Sequence, residues 1–155
     1  MADSIEARLA AAGVTLPDAA APAANYVSFV TFGRMLQTSG QLPLSGGKLT
    51  AAGKVGATVS LEDAQGAARA CAINILAQAR AALDGDLSRI ARLLKLTVFV
   101  ASHPGFTEQH KVANGASDFL VEILGDKGRH SRSAVGVPSL PLDAAVEIEA
   151  LFEID

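Results

Sequence analysis

The sequence predicts a single α+β domain in which a mixed sheet is covered on one face by two helices. Three observations carry that expectation. Residues 146–154 alternate Val146, Ile148, Ala150, Phe152 and Ile154 with Glu147, Glu149, Leu151 and Glu153, the period of a strand with one face suited to a core. Residues 60–83 place Ala64, Ala68, Cys71, Ile75, Ala79 and Leu83 at three- and four-residue spacing, the period of a helix whose narrow face can approach a sheet closely. Strand-like and helix-like segments interleave as ββαβαββ after a helical preface, an order that gathers helices on one side of a sheet.

The elements follow from local chemistry. Ser4 to Ala12 has helical composition and stops at Gly13, a residue suited to a C-terminal cap. Leu16 to Ala24, rich in Pro and Ala, reads as an irregular lead-in. Tyr26 to Phe32 is dense in β-branched and aromatic residues, and Met35 to Gln41 follows across a Gly33-Arg34 turn as the second arm of a hairpin. Pro43 to Lys54 is a loop with a short strand at its centre. Ser60 caps the first long helix, Glu62 and Asp63 complement its N-terminus, and Asp84-Gly85-Asp86 ends it. Ile90 to Ala101 contains the nearly unbroken Leu96-Thr97-Val98-Phe99-Val100, expected to be an interior strand buried on both faces. A second helix is expected from about Gly105 to Leu124, closed by Gly125-Asp126-Lys127-Gly128. Ser133 to Val137 is a strand, Pro138 to Pro141 a turn, and Val146 to Ile154 the last strand.

Composition narrows the function classes. The formal net charge is −3, whereas nucleic-acid binders rest on a surplus of clustered Lys and Arg. Lys127, Arg129, His130 and Arg132 cluster near one turn, a patch that suits a small anion better than a polyanion. No uncharged apolar run approaches the roughly 18 residues of a membrane span, and the N-terminal stretch carries acids early and lacks an apolar h-region. A cytoplasmic protein is expected. Cys71 is the only cysteine; among Ala and Ile on a helix it reads as a small core hydrophobe in a reducing compartment. Half of the residues are hydrophobic, a weak hint of burial between subunits.

Familiar catalytic signatures are absent. His103, His110 and His130 share no metal-ligand spacing, so no metal and no cofactor is expected, and the three read as ordinary histidines. Gly40 to Lys48 fails the phosphate-loop pattern, since Leu42 stands where its first glycine belongs and Leu49 follows the lysine. Ser39 lacks the flanking glycine of a nucleophile elbow.

Several segments, in order, resemble the Rid family, also called YjgF or endoribonuclease L-PSP. They are Thr38-Ser39-Gly40-Gln41-Leu42-Pro43, Leu96-Thr97-Val98-Phe99-Val100, Asn114, Arg132-Ser133-Ala134-Val135, Leu140-Pro141 and Val146-Glu147-Ile148-Glu149-Ala150. The resemblance spans roughly residues 25 to 154, which sets an expected division into an N-terminal extension (1–24) and a family-like domain (25–155). It implies a chorismate-mutase-like fold, a homotrimer with ligand clefts between subunits, and hydrolysis of reactive 2-imino or 2-enamino acids to 2-keto acids and ammonia. Arg132 would then grip the substrate carboxylate through paired N–H donors, and Glu147 would activate water. Tyr26, Ser39, Gly40, Asn114 and the backbone of Ala134 would complete the substrate site, with Arg132 and Glu147 facing one sheltered crevice where protomers adjoin.

Ala134 departs from the Cys or Thr that family members often carry. Singly, each residue has an ordinary reading: Arg132 as a surface ion pair, Glu147 as a solvated strand residue, Ser39 and Asn114 as hydrogen-bonding residues. Their joint spacing favours the functional one. A non-catalytic trimer binding a keto acid in the same cleft is the alternative. Ribonuclease activity, which the older family name suggests, is disfavoured by the acidic balance and the lack of an aromatic stacking platform.

Overall fold

The computed structural model describes residues 3–155. In chain order these form α1 (Ile5–Ala11), β1 (Phe29–Phe32), β2 (Met35–Thr38), β3 (Leu44–Ser45), β4 (Lys48–Leu49), α2 (Leu61–Ala82), β5 (Ile90–Ala101), α3 (Gln109–Leu124), β6 (Ser131–Val137) and β7 (Val146–Ile154). Five strands make one sheet in the order β1-β2-β7-β5-β6, and β3 and β4 form a separate hairpin. Only β5 and β6 run parallel; the other pairs in the sheet are antiparallel.

The register decides which face each side chain takes. Paired residues share a face, so Leu96 aligns with Arg132 and Ala150, and Val98 with Ala134 and Ile148. This is the covered face: Leu36, Leu96, Val98, Val100, Val146, Ile148 and Phe152 are fully buried beneath α2 and α3. The helices approach closely because Gly115 offers no side chain; a Cβ there would lie 2.7 Å from the carbonyl carbon of Gln65. The N-terminal segment joins the same core through Leu9 and Leu16. Its lead-in is tied to α2 by Gln78 Nε2 donating to Ala20 O (2.9 Å) and Arg80 Nη2 to Pro17 O (2.8 Å).

The other face has no helical cover. It presents Val30, Phe32, Gln37, Lys95, Thr97, Phe99, Val135 and the acids Glu147, Glu149 and Glu153. Phe32 is 87% exposed, Val30 54% and Val135 44%. β5 is therefore interior to the sheet, but within one chain only one of its faces is buried. The expectation of two buried faces came from an apolar run that does not distinguish core from an uncovered apolar surface.

Several boundaries also differ: β2 ends at Thr38 rather than Gln41, and β6 begins at Ser131 rather than Ser133. Tyr26 to Ser28 precede the first strand, because the chain opposite them leaves the regular ladder at Ser39. The Pro43–Lys54 loop holds a two-strand hairpin turning on Gly46 and Gly47, both at positive φ. The second long helix starts at Gln109 rather than Gly105: a turn closes from Phe106 N to His103 O (2.9 Å), and Gln109 Nε2 then caps Phe106 O (2.8 Å).

Candidate active site

The first half of the site forms where β2 meets β7. Gln37 pairs with Leu151, and the ladder continues with Ala150 N donating to Thr38 Oγ1 (3.1 Å). Gln41 then pairs with Ile148. Ser39 and Gly40 thus occupy a stretch where β7 supplies Glu149 alone, a β-bulge that re-aims the chain. Ser39 Oγ donates to Val27 O (2.7 Å) and Ser39 N to Ser28 O (2.8 Å), which anchors the segment bearing Tyr26. Tyr26 is half exposed, its hydroxyl accepting from Ala23 N (3.4 Å).

Gly40 is the seat of the Glu147 carboxyl. A Cβ at Gly40 would lie 2.9 Å from Glu147 Cδ and nearer still to Oε1, so only glycine leaves room for that group. Partial burial, then the charge of Glu149 two residues along the same face, hold the Glu147 carboxyl above the ordinary range. A carboxylate of this kind is a better proton acceptor than a solvated one.

The second half lies on the covered face between β6 and α3. Arg132 Nη1 donates to Ser117 Oγ (2.9 Å) and Nη2 to the His110 carbonyl (2.9 Å). Two of its five N–H groups are thereby spent on positioning, and three remain for a ligand. Ala134, two residues on, is half-buried against the core on the same face. Asn114 is half-buried on α3, one turn before Ser117. Farther along β6, Gly136 joins Ser102, His103, Phe106, Gln109 and Pro138 in lining a cavity of about 590 Å³. β6 is an edge strand, so alternate backbone groups there lack ladder partners.

Arg132 and Glu147 do not meet within one chain. Arg132 aligns with Leu96 on the covered face, and Glu147 with Phe99 on the uncovered one. β5 separates their strands, so they stand about 10 Å apart across the sheet and a similar distance along it. Within one chain this overturns the expectation that Arg132 and Glu147 face one shared crevice, because the register puts them on opposite sides of the sheet. The structure gathers Ser39, Gly40 and Glu147 with the Tyr26 segment in one place, and Arg132 and Ala134 against α3 in another.

The basic cluster does not converge either. Arg129 pairs with Asp126 (3.5 Å), Lys127 Nζ donates to Ile90 O (2.9 Å), and Arg132 turns to α3. Sequence reasoning did not single out Ser117 or the His110 carbonyl as partners of Arg132. His130, expected to be an ordinary surface or partly buried histidine, is partly buried and lies against Ser117, Nε2 to Oγ at 2.9 Å, with Nδ1 on Gly128 O at 2.6 Å. Its position two residues before Arg132 was the available signal, because alternate residues of a strand share a face.

Among the described residues, no helix is long and apolar enough to cross a membrane. Cys71 is buried, with its thiol on Val146 O (3.7 Å).

Residues 6–154 match the family described as "YjgF/chorismate mutase-like, putative endoribonuclease". Protein TCP17 of Trypanosoma cruzi is 52% identical over 154 residues, covering 97% of this chain and 94% of its own length. The crystal structure of Atu1372 from Agrobacterium tumefaciens superposes with a TM-score of 0.92 at 55% identity, covering 97% of this chain and 92% of that one. The structure of E. coli TdcF with bound serine superposes with a TM-score of 0.64 at 27% identity, covering 88% of this chain and 94% of that one. Sheet order, helices on a single face and the match over nearly the whole chain converge: this protein belongs to the YjgF/chorismate mutase-like family.

Proposed function

We propose that the protein is a cofactor-free deaminase of 2-imino and 2-enamino acids, acting at clefts between the subunits of a homotrimer. The observation that carries this reading is the separation of two complementary half-sites onto opposite faces of one sheet. An anchored guanidinium with spare donors lies on one face, and a half-buried carboxyl of raised proton affinity on the other. Two chains placed edge to face bring one half from each. The exposed Phe32, Val30 and Val135 on the uncovered face favour such an association, since apolar surface of this kind is commonly buried between subunits. Serine bound in TdcF supports a ligand with an amino-acid-like carboxylate.

In this reading Arg132 of one subunit takes the substrate carboxylate through paired N–H donors, a fork that lysine cannot supply. Glu147 of the neighbour, ionised, removes a proton from water as its oxygen adds to the imine carbon, and passes that proton to the imine nitrogen, which leaves Glu147 ionised again. The resulting carbinolamine collapses as its hydroxyl proton passes through Glu147 to the nitrogen and the C–N bond breaks, which again leaves Glu147 ionised. Ammonia and the 2-keto acid leave, so one water is consumed and no electrons are exchanged. Tyr26, Ser39 and Gly40 border the carboxylate half, and Asn114 and the Ala134 backbone the guanidinium half.

The test generates 2-iminopropionate with an amino-acid oxidase and follows semicarbazone formation with the protein competing for the imine. Faster loss of the imine supports the reading, and no acceleration across several amino acids rejects it. Ala134 motivates a second reading, because a methyl group brings no side-chain hydrogen bond or thiol to the cleft. On that reading the trimer binds a keto acid without turnover. A ligand-induced rise in Tm that disappears in Arg132→Ala, with no catalysis, would select it.

A further inference from the structure

His130 and Ser117 are not needed for the chemistry above, yet they form one hydrogen-bonded chain with the guanidinium that would take the substrate carboxylate. His130 Nδ1 lies 2.6 Å from Gly128 O. A carbonyl can only accept, so Nδ1 carries the proton and the Nε2 of the neutral ring is a bare acceptor. Ser117 Oγ lies 2.9 Å from that Nε2 and 2.9 Å from Arg132 Nη1. Arg132 can only donate, so the Ser117 oxygen accepts from it and the Ser117 proton points to His130. The donor and acceptor roles are thus fixed from the Gly128 carbonyl to the guanidinium.

We propose that Ser117 and the neutral, Nδ1-protonated His130 are positioning residues that hold Arg132 in its substrate-gripping orientation, and that protonation of His130 releases that hold. A protonated ring would carry N–H on both nitrogens. Two cations would then face each other across the Ser117 oxygen and repel, and the Ser117 proton would lose its acceptor. Protonation of His130 therefore weakens the grip on the substrate carboxylate and is read in KM, whereas protonation of Glu147 is read in kcat.

The surroundings support this direction. Burial first, and the Arg132 charge in addition, hold the His130 imidazolium pKa below its ordinary value, although the Gly128 bond opposes them. The other charges on the packed elements are engaged or directed elsewhere. Arg129 pairs with Asp126, Lys127 donates to Ile90 O, and Arg92 Nη2 reaches Arg129 O. On α3, Lys111 pairs with Glu108, Asp118 and Glu122 are exposed, and His110 meets Arg132 through its backbone carbonyl rather than its ring. Lys95 of β5 lies on the opposite face, in register with Ser131.

The proposal rests on the deaminase reading for its kinetic readout, and one measurement keeps the two separable. Nitrogen-15 NMR of the imidazole in the whole protein should show His130 as the Nδ1–H tautomer, neutral at pH 7, with the tautomer balance altered in Ser117→Ala. In kinetics, KM for the imino acid should rise as pH falls through the His130 titration, by about tenfold, the loss expected for a hydrogen bond to a charged group. Ser117→Ala and His130→Ala should each raise KM about as much at neutral pH, with kcat within about twofold, and the double variant should be no worse than either single. His130→Gln, whose amide oxygen can accept the Ser117 proton without titrating, should restore KM and remove its acid rise. An Nε2–H tautomer, a KM independent of pH, or an unchanged KM in Ser117→Ala would overturn the proposal. Absence of turnover in the wild-type protein would defeat the deaminase reading alone, and the tautomer would then decide this one.

Discussion

Replacing Gly40 with alanine tests whether the placement of the Glu147 carboxyl matters to function. The added methyl would lie 2.9 Å from Glu147 Cδ and 3.0 Å from Cγ, with Oε1 nearer still. Ordinary carbon–carbon contacts begin at roughly 3.5 Å, so the carboxyl must retreat by roughly 1 Å. It is the far end of a flexible side chain beside solvent, and Gly40 has no positive φ that a side chain would strain. The fold therefore yields cheaply: less than about 1 kcal/mol of stability should be lost, as for most partly exposed substitutions. A reacting group displaced by roughly 1 Å can lose about 100-fold in rate. Gly40→Ala should accordingly keep its Tm within a few degrees while kcat for imine hydrolysis falls about 100-fold and KM changes little. The assay is semicarbazide competition for the imine alongside thermal denaturation. A folded Gly40→Ala protein with kcat within about threefold of wild type would refute the role given to Glu147 at this seat.

Three further outcomes follow from the same geometry. The raised Glu147 pKa means that the folded state binds a proton more readily than the unfolded chain, so stability falls as pH rises from the unfolded value of about 4.5 through the folded one. Glu147→Gln should therefore raise Tm at pH 7 while abolishing turnover, and the acid limb of wild-type kcat should lie above 4.5; an unchanged or lower Tm would contradict the burial argument. Arg132→Lys should raise KM about 100-fold with little loss of stability, because an ammonium keeps the charge but not the paired donors, and an unaltered KM would remove the carboxylate clamp. Gly115→Ala should destabilise by about 1–3 kcal/mol in thermal or urea unfolding, since the new methyl meets Gln65 backbone that cannot swing aside; a stable variant would show that α2 and α3 are less closely packed than described.

Much of the fold was legible because its signals are local. The alternation through Val146–Ile154 became a strand buried at alternate positions along its length, and Ser60 caps α2 through its hydroxyl on Asp63 N (3.0 Å). The uncovered face of β5 was not legible, since Thr97 and Phe99 sit in an apolar run that reads the same beneath a helix or beneath another subunit. The start of α3 was misplaced because Pro104 and Gly105 form a turn held by the His103 side chain, a contact that periodicity does not encode.

The site divides in the same way. Arg132, Glu147, Ser39 and Gly40 could be picked out from their order along the chain. That Arg132 and Glu147 point to opposite faces depends on register across three strands, which no spacing within one strand reveals. Ser117 escaped notice because its partners, His130 and Arg132, lie on the far side of a turn and meet it only once α3 packs against β6.

Subunit mixing tests the two-chain site most directly. Arg132→Ala and Glu147→Ala proteins, each inactive alone, are unfolded together in equal amounts, refolded and assayed. If each cleft takes Arg132 from one chain and Glu147 from its neighbour, every mixed trimer contains one cleft with both native residues, and random assembly restores about a quarter of wild-type activity. No recovery from well-folded mixed trimers would contradict the account.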